Sequence, residues 1–230
     1  MSGAASLSVE GLVLGGARLA FAVQSGEVLA VLGDNGSGKS LLLAYLSGHL
    51  RAPAGAVKIG GKPLRAAQGE VGVVFQYHGL IRNMTVFENV ALPFLVRGLD
   101  LDGALEEQVR LRLRLVGCGH LEHEEVHRLS EGDKRCVALA RALSGGTRLL
   151  LADEPAAALS PAKKTLIEEL LAGLVRTGVL GGIVLATQDL DFAQRIATHF
   201  LLLHAGGHTL VRREDAADDA HCRAFTTRAA

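Results

Sequence analysis

The residues best suited to chemistry form a glycine-rich loop with the pattern GxxxxGKS. Glycines let backbone N–H groups approach phosphate oxygens, and a helix that starts at the loop presents its positive end to the same anion. Lys39 can reach the β- and γ-phosphates, and the Ser40 hydroxyl can bind Mg²⁺. The loop therefore predicts a nucleotide phosphate site, formed by Gly33, Asp34, Asn35, Gly36, Ser37, Gly38, Lys39, Ser40 and the following Leu41.

Two adjacent carboxylates, Asp153 and Glu154, follow the apolar run 149–152. Taken alone, such a pair also fits an ordinary strand end. In a chain with a phosphate-binding loop, one carboxylate can hold Mg²⁺ and the next can orient or deprotonate the attacking water.

Further polar residues follow other predicted strands. Gln76 comes after 71–75, and Gln188 comes after 183–187. Ligand contacts in α/β sheets lie at the carboxyl ends of strands, although Gln76 also fits an ordinary loop. Ser130, with Asp133 three residues later, predicts a helix N-cap.

The elements that must position these residues predict an α/β fold. Five consecutive apolar residues at 28–32 suit a buried parallel strand, and the helix that follows the loop is expected to end at 53–55. Residues 7–23 and 57–63 predict short strands of a small antiparallel β subdomain. The rest predicts a mostly parallel core sheet.

Residues 78–145 predict an inserted helical subdomain within a domain of residues 1–213, followed by a polar tail at 214–230. Thr85 and Glu88 form a capping-box pattern, and Pro93 is expected to interrupt the helix. A second helix carries apolar residues at helical spacing, with arginines on the same face that favour a solvated or partner-facing surface: Leu105, Val109, Leu113, Val116, Arg110, Arg112 and Arg114.

Composition excludes several classes of function. The formal net charge is zero and aromatic residues make up 4 %, which argues against nucleic acid as a partner. We expect neither a membrane span nor a secretory signal. Cys118, Cys136 and Cys222 are scattered without metal-ligand spacing, which predicts a reduced cytosolic state.

In order and spacing, five segments resemble the ATP-binding subunit of ABC transporters over nearly the whole chain: GDNGSGKS, VVFQ, LSEGD with VALARAL, LLLADEP and ATQD. A phosphate loop alone fits many NTPases, but this series fits one superfamily. The resemblance implies a P-loop NTPase that binds ATP and Mg²⁺ at the cytoplasmic face of the bacterial inner membrane.

The resemblance also implies a role for each segment. Gly33 to Ser40 would bind the phosphates, Asp153 would hold Mg²⁺, and Glu154 would be the general base. Gln76 would touch Mg²⁺ or water and move with an integral membrane permease docked near Gln76 to Val90. Ser130 and Gly132 would contact the γ-phosphate of ATP held by a second ATPase protomer, in a homodimer or a heterodimer.

The departures from the family pattern cluster at catalysis. Glu131 and Asp133 replace residues of the usual LSGGQ signature, and such carboxylates should repel a phosphate unless they point away. Ser160 stands in the D-loop where an aspartate is usual, Gln188 replaces the switch histidine, and Leu41 replaces a threonine. Near 13–14 the usual adenine-stacking aromatic is absent.

Two hypotheses follow. In the first, the chain is a divergent but working ATPase, which the retained Glu154 favours. In the second, it binds ATP but hydrolyses it weakly as a degenerate partner with a structural or regulatory role, which the lost histidine favours. Residues 73–98 resemble the lipoprotein-release, cell-division and phospholipid-trafficking ATPases, so we expect a lipid or lipoprotein cargo.

Other classes fit less well. A DNA-repair or chromosome-organising ATPase of this fold would carry a long coiled coil, and no sustained heptads occur. A small-molecule kinase would use the phosphate loop but has no use for the signature or for Gln76.

Overall fold

The computed structural model describes residues 6–204, 207–216 and 219. Its strands are β1 Leu7–Leu14, β2 Ala17–Val23, β3 Glu27–Gly33, β4 Ala56–Ile59, β5 Lys62–Pro63, β6 Val71–Val74, β7 Leu149–Asp153, β8 Gly182–Ala186, β9 His199–His204 and β10 Gly207–Arg212. Its helices are α1 Lys39–Leu46, α2 Leu64–Ala67, α3 Val86–Leu95, α4 Gly103–Leu115, α5 Glu131–Ala142, α6 Pro161–Arg176 and α7 Leu190–Ile196.

The core is a six-stranded sheet in the order β10-β9-β3-β8-β7-β6. Its pairs are parallel except β10 with β9. Strands β3, β7 and β8 are buried along almost their whole length, because helices and a second sheet cover both faces. The fold class predicted from the sequence is confirmed.

The second sheet is antiparallel, in the order β2-β1-β4-β5. Alternating apolar residues of β1 and β2 pack with Leu42 and Leu46 of α1 against one face of the core sheet. Helices α3 to α7 cover its other face. The phosphate-binding loop between β3 and α1 is therefore fixed from two sides.

Helix α1 is shorter than the sequence predicts. It ends at Leu46 with Ser47 as C-cap, well before 53–55. Gly48 follows with a positive φ of 75°, and its N–H donates to Tyr45 O at 3.2 Å. A left-handed glycine of this kind ends a helix without requiring proline.

The capping box of Thr85 and Glu88 is confirmed at the start of α3. The expected interruption at Pro93 is wrong, because α3 continues through it to Leu95. Proline in the last turn removes only one helical hydrogen bond, and the N–H of Val96, three residues later, still reaches Leu92 O at 2.9 Å.

The arginines of α4 do not form a free basic stripe. Arg110 lies 5.4 Å over the ring of Phe87, and Arg112 lies 5.1 Å over Phe94. Arg112 Nε also donates to Leu143 O at 3.1 Å. These contacts join α4 to α3, while the rest of the surface of α4 is exposed, which agrees with the predicted solvated or partner-facing surface.

Cys118 and Cys136 are far apart in sequence but meet in the fold, both buried and free. A hydrogen bond between the two thiols, together with burial, raises the pKa of Cys118. Cys222 and most of the predicted tail lie outside the described residues. No helix in the described part of the chain has the length and apolar character to cross a membrane.

Candidate phosphate and carboxylate site

Three neighbouring parallel strands bring the predicted groups to one edge of the core sheet. Val31 of β3 pairs with Ala186 of β8, and Ala186 pairs with Asp153 of β7. The phosphate-binding loop, the two carboxylates and Gln188 follow these strands directly. They therefore meet at the carboxyl end of the sheet, as predicted.

The loop that follows β3 has a backbone that accepts only glycine at its start. A Cβ on Gly33 would lie 2.6 Å from Ser37 Oγ and 2.7 Å from Leu203 O. Gly38 precedes α1 with φ 98°, in the left-handed region. Ser37 Oγ is buried and has no hydrogen-bond partner among the described residues.

Lys39 lies inside this loop. Its Nζ donates to Gly33 O at 2.8 Å and Asp34 O at 2.9 Å. Burial lowers the pKa of Lys39, against the opposing effect of Glu154 and Asp153. The cation therefore lies in the field of both predicted carboxylates. Four further residues of the loop and α1 are exposed along the same edge: Asp34, Asn35, Gly36 and Ser40; Leu41 is also exposed, at 37 %.

Glu154 is held in a fixed orientation. Its Oε2 accepts the Thr187 hydroxyl at 2.9 Å, and its Oε1 accepts the Gln188 N–H at 2.9 Å. Burial raises the pKa of Glu154, and these two hydrogen bonds oppose that rise. A carboxylate with a raised pKa is a stronger base than an ordinary one.

The backbone is strained at Glu154, and a side chain of α5 supports it. Glu154 has a positive φ of 51°, which costs an L-residue about 1–3 kcal/mol. Arg135 of α5 is buried and donates from Nη1 to Glu154 O at 2.8 Å and Asp153 O at 3.2 Å. Helix α5 thus fixes both carboxylate-bearing residues.

The Gln188 side chain points to the phosphate-binding loop. Its Nε2 donates to Asn35 Oδ1 at 2.7 Å. Gln76 lies elsewhere on the same edge, exposed, two residues beyond the end of β6. Val74 of β6 pairs with Ala152 of β7, so Gln76 follows the strand next to the carboxylates.

Ser130 is the N-cap of α5, as predicted, and its Oγ accepts the Asp133 N–H at 3.1 Å. Gly132 packs tightly on the segment before α6. A Cβ there would lie 2.8 Å from Ala158 O. Ala158 itself has φ 61°.

The two carboxylates beside Ser130 are neutralised by cations of the same chain. Asp133 pairs with Lys163, and Glu131 pairs with Lys134 at 2.7 Å and contacts His78 Nε2 at 3.2 Å. Burial would raise the pKa of Asp133, but Lys163 and Ser130 lower it overall. The expected repulsion of phosphate is therefore reduced.

Comparisons with known proteins agree on a family. A family model described as ABC transporter matches residues 17–157. The lipoprotein-releasing system ATP-binding protein LolD of Cereibacter sphaeroides is 40 % identical over 194 residues, covering 80 % of this chain and 84 % of that protein. The chain belongs to the ABC transporter family of ATPases.

Other similarities are broader. The methionine import ATP-binding protein MetN of the same organism is 35 % identical over 196 residues, which cover 80 % of this chain and 54 % of MetN. The chain thus spans about half the length of that relative. The dimeric post-hydrolysis structure of the ATP-binding cassette MJ0796 bound to ADP and Pi aligns with a TM-score of 0.82 at 23 % identity, covering 90 % of this chain and 98 % of that one. This last likeness shows the shared fold.

The site of this ABC ATPase fits a nucleotide with Mg²⁺. At Gly36 nothing lies within 4 Å of the position of a Cβ, which leaves space for phosphate oxygens. Lys39 and the exposed Ser40 hydroxyl supply a cation and a donor beside it. Asp153 is buried, and no described residue donates a hydrogen bond to its carboxylate. The described ranges contain no group of three or more His, Cys, Asp or Glu that could hold a metal ion.

The departures of this ABC ATPase from the family pattern have local explanations. Ser160, at the position of the usual D-loop aspartate, is the N-cap of α6 and accepts the Lys163 N–H. Serine and aspartate are equally good N-caps. Where the adenine-stacking aromatic is absent, the Leu14 side chain lies 3.4 Å from the position of a Cβ on Gly38.

Sequence reasoning missed two residues of the site. Thr187, one position before Gln188, binds Glu154, and Arg135, five positions after Ser130, supports it. Thr187 follows directly on β8, a signal that could have singled it out. Nothing in the spacing of Arg135 indicates that it reaches the carbonyls of Asp153 and Glu154.

Proposed function

We propose that this ABC ATPase binds ATP with Mg²⁺ and hydrolyses it at the cytoplasmic face of the bacterial inner membrane, to power transport of a lipid or lipoprotein. The observation that carries the proposal is the Glu154 carboxylate, fixed by two donors opposite the phosphate-binding loop. We assign residues 1–213 to the ATPase domain and 78–145 to its helical subdomain.

In this proposal Glu154 accepts the proton of the attacking water. Its raised pKa suits a base, and its two hydrogen bonds orient it. Lys39 exchanges the carbonyls of Gly33 and Asp34 for phosphate oxygens. Mg²⁺, held by Ser40 and Asp153 with Gln76 nearby, would neutralise charge on the β- and γ-phosphates.

The second protomer would use Ser130 and Gly132. Both lie at the N-terminus of α5, where backbone N–H groups and the helix dipole favour an anion. The ion pairs of Glu131 and Asp133 with lysines of their own chain support this use, since they reduce the negative charge that the phosphate of the other protomer would meet.

The permease would dock near Gln76 to Val90. Tyr77 is 88 % exposed and Ile81 is 39 % exposed, so this segment presents apolar surface next to Gln76. The lipid or lipoprotein cargo is supported by the similarity to LolD and by the sequence of residues 73–98. The similarity to MetN supports only transport in general.

The test is steady-state ATP hydrolysis by the chain reconstituted with its permease, comparing wild type, Glu154→Gln and Gln188→His. We expect wild-type turnover that is lost in Glu154→Gln. Gln188→His should change kcat less than about tenfold, because the Gln188 backbone N–H that orients Glu154 is kept.

A second candidate is a degenerate partner that binds ATP but hydrolyses it weakly. The bond between Gln188 and Asn35 favours it, because the switch side chain is uncharged and already occupied. Turnover that appears only in Gln188→His would support this candidate. Nucleotide binding without turnover in all three proteins would support it too, and would overturn our first proposal.

A further inference from the structure

Two consecutive lysines at the start of α6 pair with carboxylates on two different segments. Lys163 Nζ contacts Asp133 Oδ1 of α5, and Lys164 Nζ contacts Asp189 Oδ2. Asp189 is the N-cap of α7. Consecutive helical residues point about 100° apart. Helix α6 therefore contacts α5 on one side and the start of α7 on another, through adjacent side chains. We call Lys163 and Lys164 the lysine pair.

The lysine pair occupies a position that is electrostatically unfavourable in isolation. Cations in the first turn of a helix oppose its dipole and destabilise the helix. The first turn of α6 carries no acidic residue to offset them. The carboxylates of Asp133 and Asp189 are therefore the partners that make this placement favourable.

Lys163 is connected through Asp133 to Ser130, the signature serine. While Asp133 Oδ1 contacts Lys163, its Oδ2 accepts the Ser130 hydroxyl at 2.5 Å. The Ser130 Oγ in turn accepts the Asp133 N–H. The side chains of the ion pair are 20–30 % exposed, so the contact is partly shielded from solvent. Asp133 thus fixes the rotamer of Ser130 while Lys163 holds Asp133.

Lys164 is connected to Glu154, the proposed base, through a different series of contacts. Asp189 Oδ1 accepts the Phe192 N–H at 2.9 Å, and the Asp189 N–H donates to Thr187 Oγ1 at 3.0 Å. The same Thr187 hydroxyl donates to Glu154. Lys164 therefore orients, through Asp189 and Thr187, the carboxylate proposed as the base.

We propose that Lys163 and Lys164 are positioning residues that tie the base of one nucleotide site and the signature serine of the other to a single helix. This inference rests on the proposed function, which gives Glu154 and Ser130 their roles. Lys163 acts on the contact to ATP across the dimer, and Lys164 acts on the chemical step. Ser160, which caps the same helix, carries no charge that would do either.

The kinetic test compares Lys163→Met and Lys164→Met in the full chain with its permease. Lys163→Met should raise KM about fivefold with kcat nearly unchanged, and Lys164→Met should lower kcat about fivefold with KM nearly unchanged; both magnitudes correspond to one ion pair of about 1 kcal/mol. Lys62→Met is the matched control, because it removes an exposed lysine–glutamate pair of 2.7 Å in the antiparallel sheet.

A second readout does not depend on activity. Amide hydrogen exchange should increase at Asp133 in Lys163→Met and at Asp189 and Phe192 in Lys164→Met, each without effect on the other segment. Lys163→Arg, which keeps a cation opposite Asp133 and leaves the acceptor of the Ser130 hydroxyl in place, should retain the wild-type protection at Asp133.

These readouts separate the two proposals. Without wild-type turnover, the proposed function fails and hydrogen exchange alone decides the inference. If both lysine variants change exchange over the same segments, or change neither more than Lys62→Met does, the lysine pair has no separate positioning roles and the inference is overturned.

Discussion

Thr187→Val removes the hydroxyl that donates to Glu154 while keeping the side-chain shape. Thr187 is fully buried, so valine leaves no cavity. The lost bond to Glu154 joins a hydroxyl and a carboxylate 2.9 Å apart, and hydrogen bonds to charged groups contribute about 1.5–3 kcal/mol. The Asp189 N–H also loses its acceptor, Thr187 Oγ1, at 3.0 Å. We expect the free energy of unfolding at neutral pH to fall by about that amount.

The pH dependence gives a sharper signature. Because the Thr187 bond opposes the rise in the pKa of Glu154, its removal raises that pKa further. The stability that the bond contributes is present while Glu154 is ionised and is lost as pH falls through its pKa. The stability difference should therefore shrink on acidification, and the acid limb of kcat should move to higher pH.

The assay is urea unfolding at a series of pH values, combined with a pH–rate profile of ATP hydrolysis. Thr187→Ser is the control, since it retains the hydroxyl and should keep the wild-type acid limb. An unchanged acid limb in Thr187→Val, or a serine variant that behaves like valine, would refute the argument that this bond tunes Glu154.

Three further substitutions test the packing around the site by urea unfolding. Gly72→Ala places a Cβ 2.1 Å from Ala142 O, and we expect a loss of about 3 kcal/mol as the backbone shifts. Arg135→Met removes both hydrogen bonds to the backbone around Glu154 and should cost about 1.5–3 kcal/mol, with reduced kcat. Ser160→Asp keeps a good N-cap and should change stability by less than about 0.5 kcal/mol.

The controls for these substitutions lie within the same chain. Gly173→Ala adds a methyl in α6 where nothing lies within 4 Å, and it should stabilise the protein by about 0.5–1 kcal/mol. A Gly72→Ala protein as stable as wild type would contradict the steric argument. A Ser160→Asp protein destabilised by more than about 1 kcal/mol would show that Ser160 does more than cap α6.

The site could be predicted wherever a polar residue follows an apolar strand. Asp153 and Gln188 were found in this way, because parallel strands align their carboxyl ends at one edge, whereas Gly33 was found from the GxxxxGKS pattern. The contacts of Arg135 and Lys163 could not be found, since they depend on how α5 and α6 pack against the sheet. The sequence pattern gives the face of a helix, but not which loop its polar side chains reach.

The predictions of helix ends that proved wrong also depended on features that the sequence pattern does not show. Proline is a weaker stop signal than it appears when it falls in the last turn, as Pro93 does. Gly48 ended α1 because it adopts a left-handed conformation, which spacing alone does not reveal. Arg110 and Arg112 of α4 also lie over Phe87 and Phe94 of another helix, a contact that the spacing within α4 does not reveal.

Gln76 lies in the segment that follows β6, the strand at one edge of the core sheet. Strand β6 has only four residues, and within the described ranges it pairs with β7 alone. The segment that follows is tied to α5 as well, since Arg141 donates to His78 O and to Gly79 O at 2.8 Å each. A displacement of the chain next to Gln76 would therefore act on α5, the helix whose Arg135 holds the carbonyls of Asp153 and Glu154.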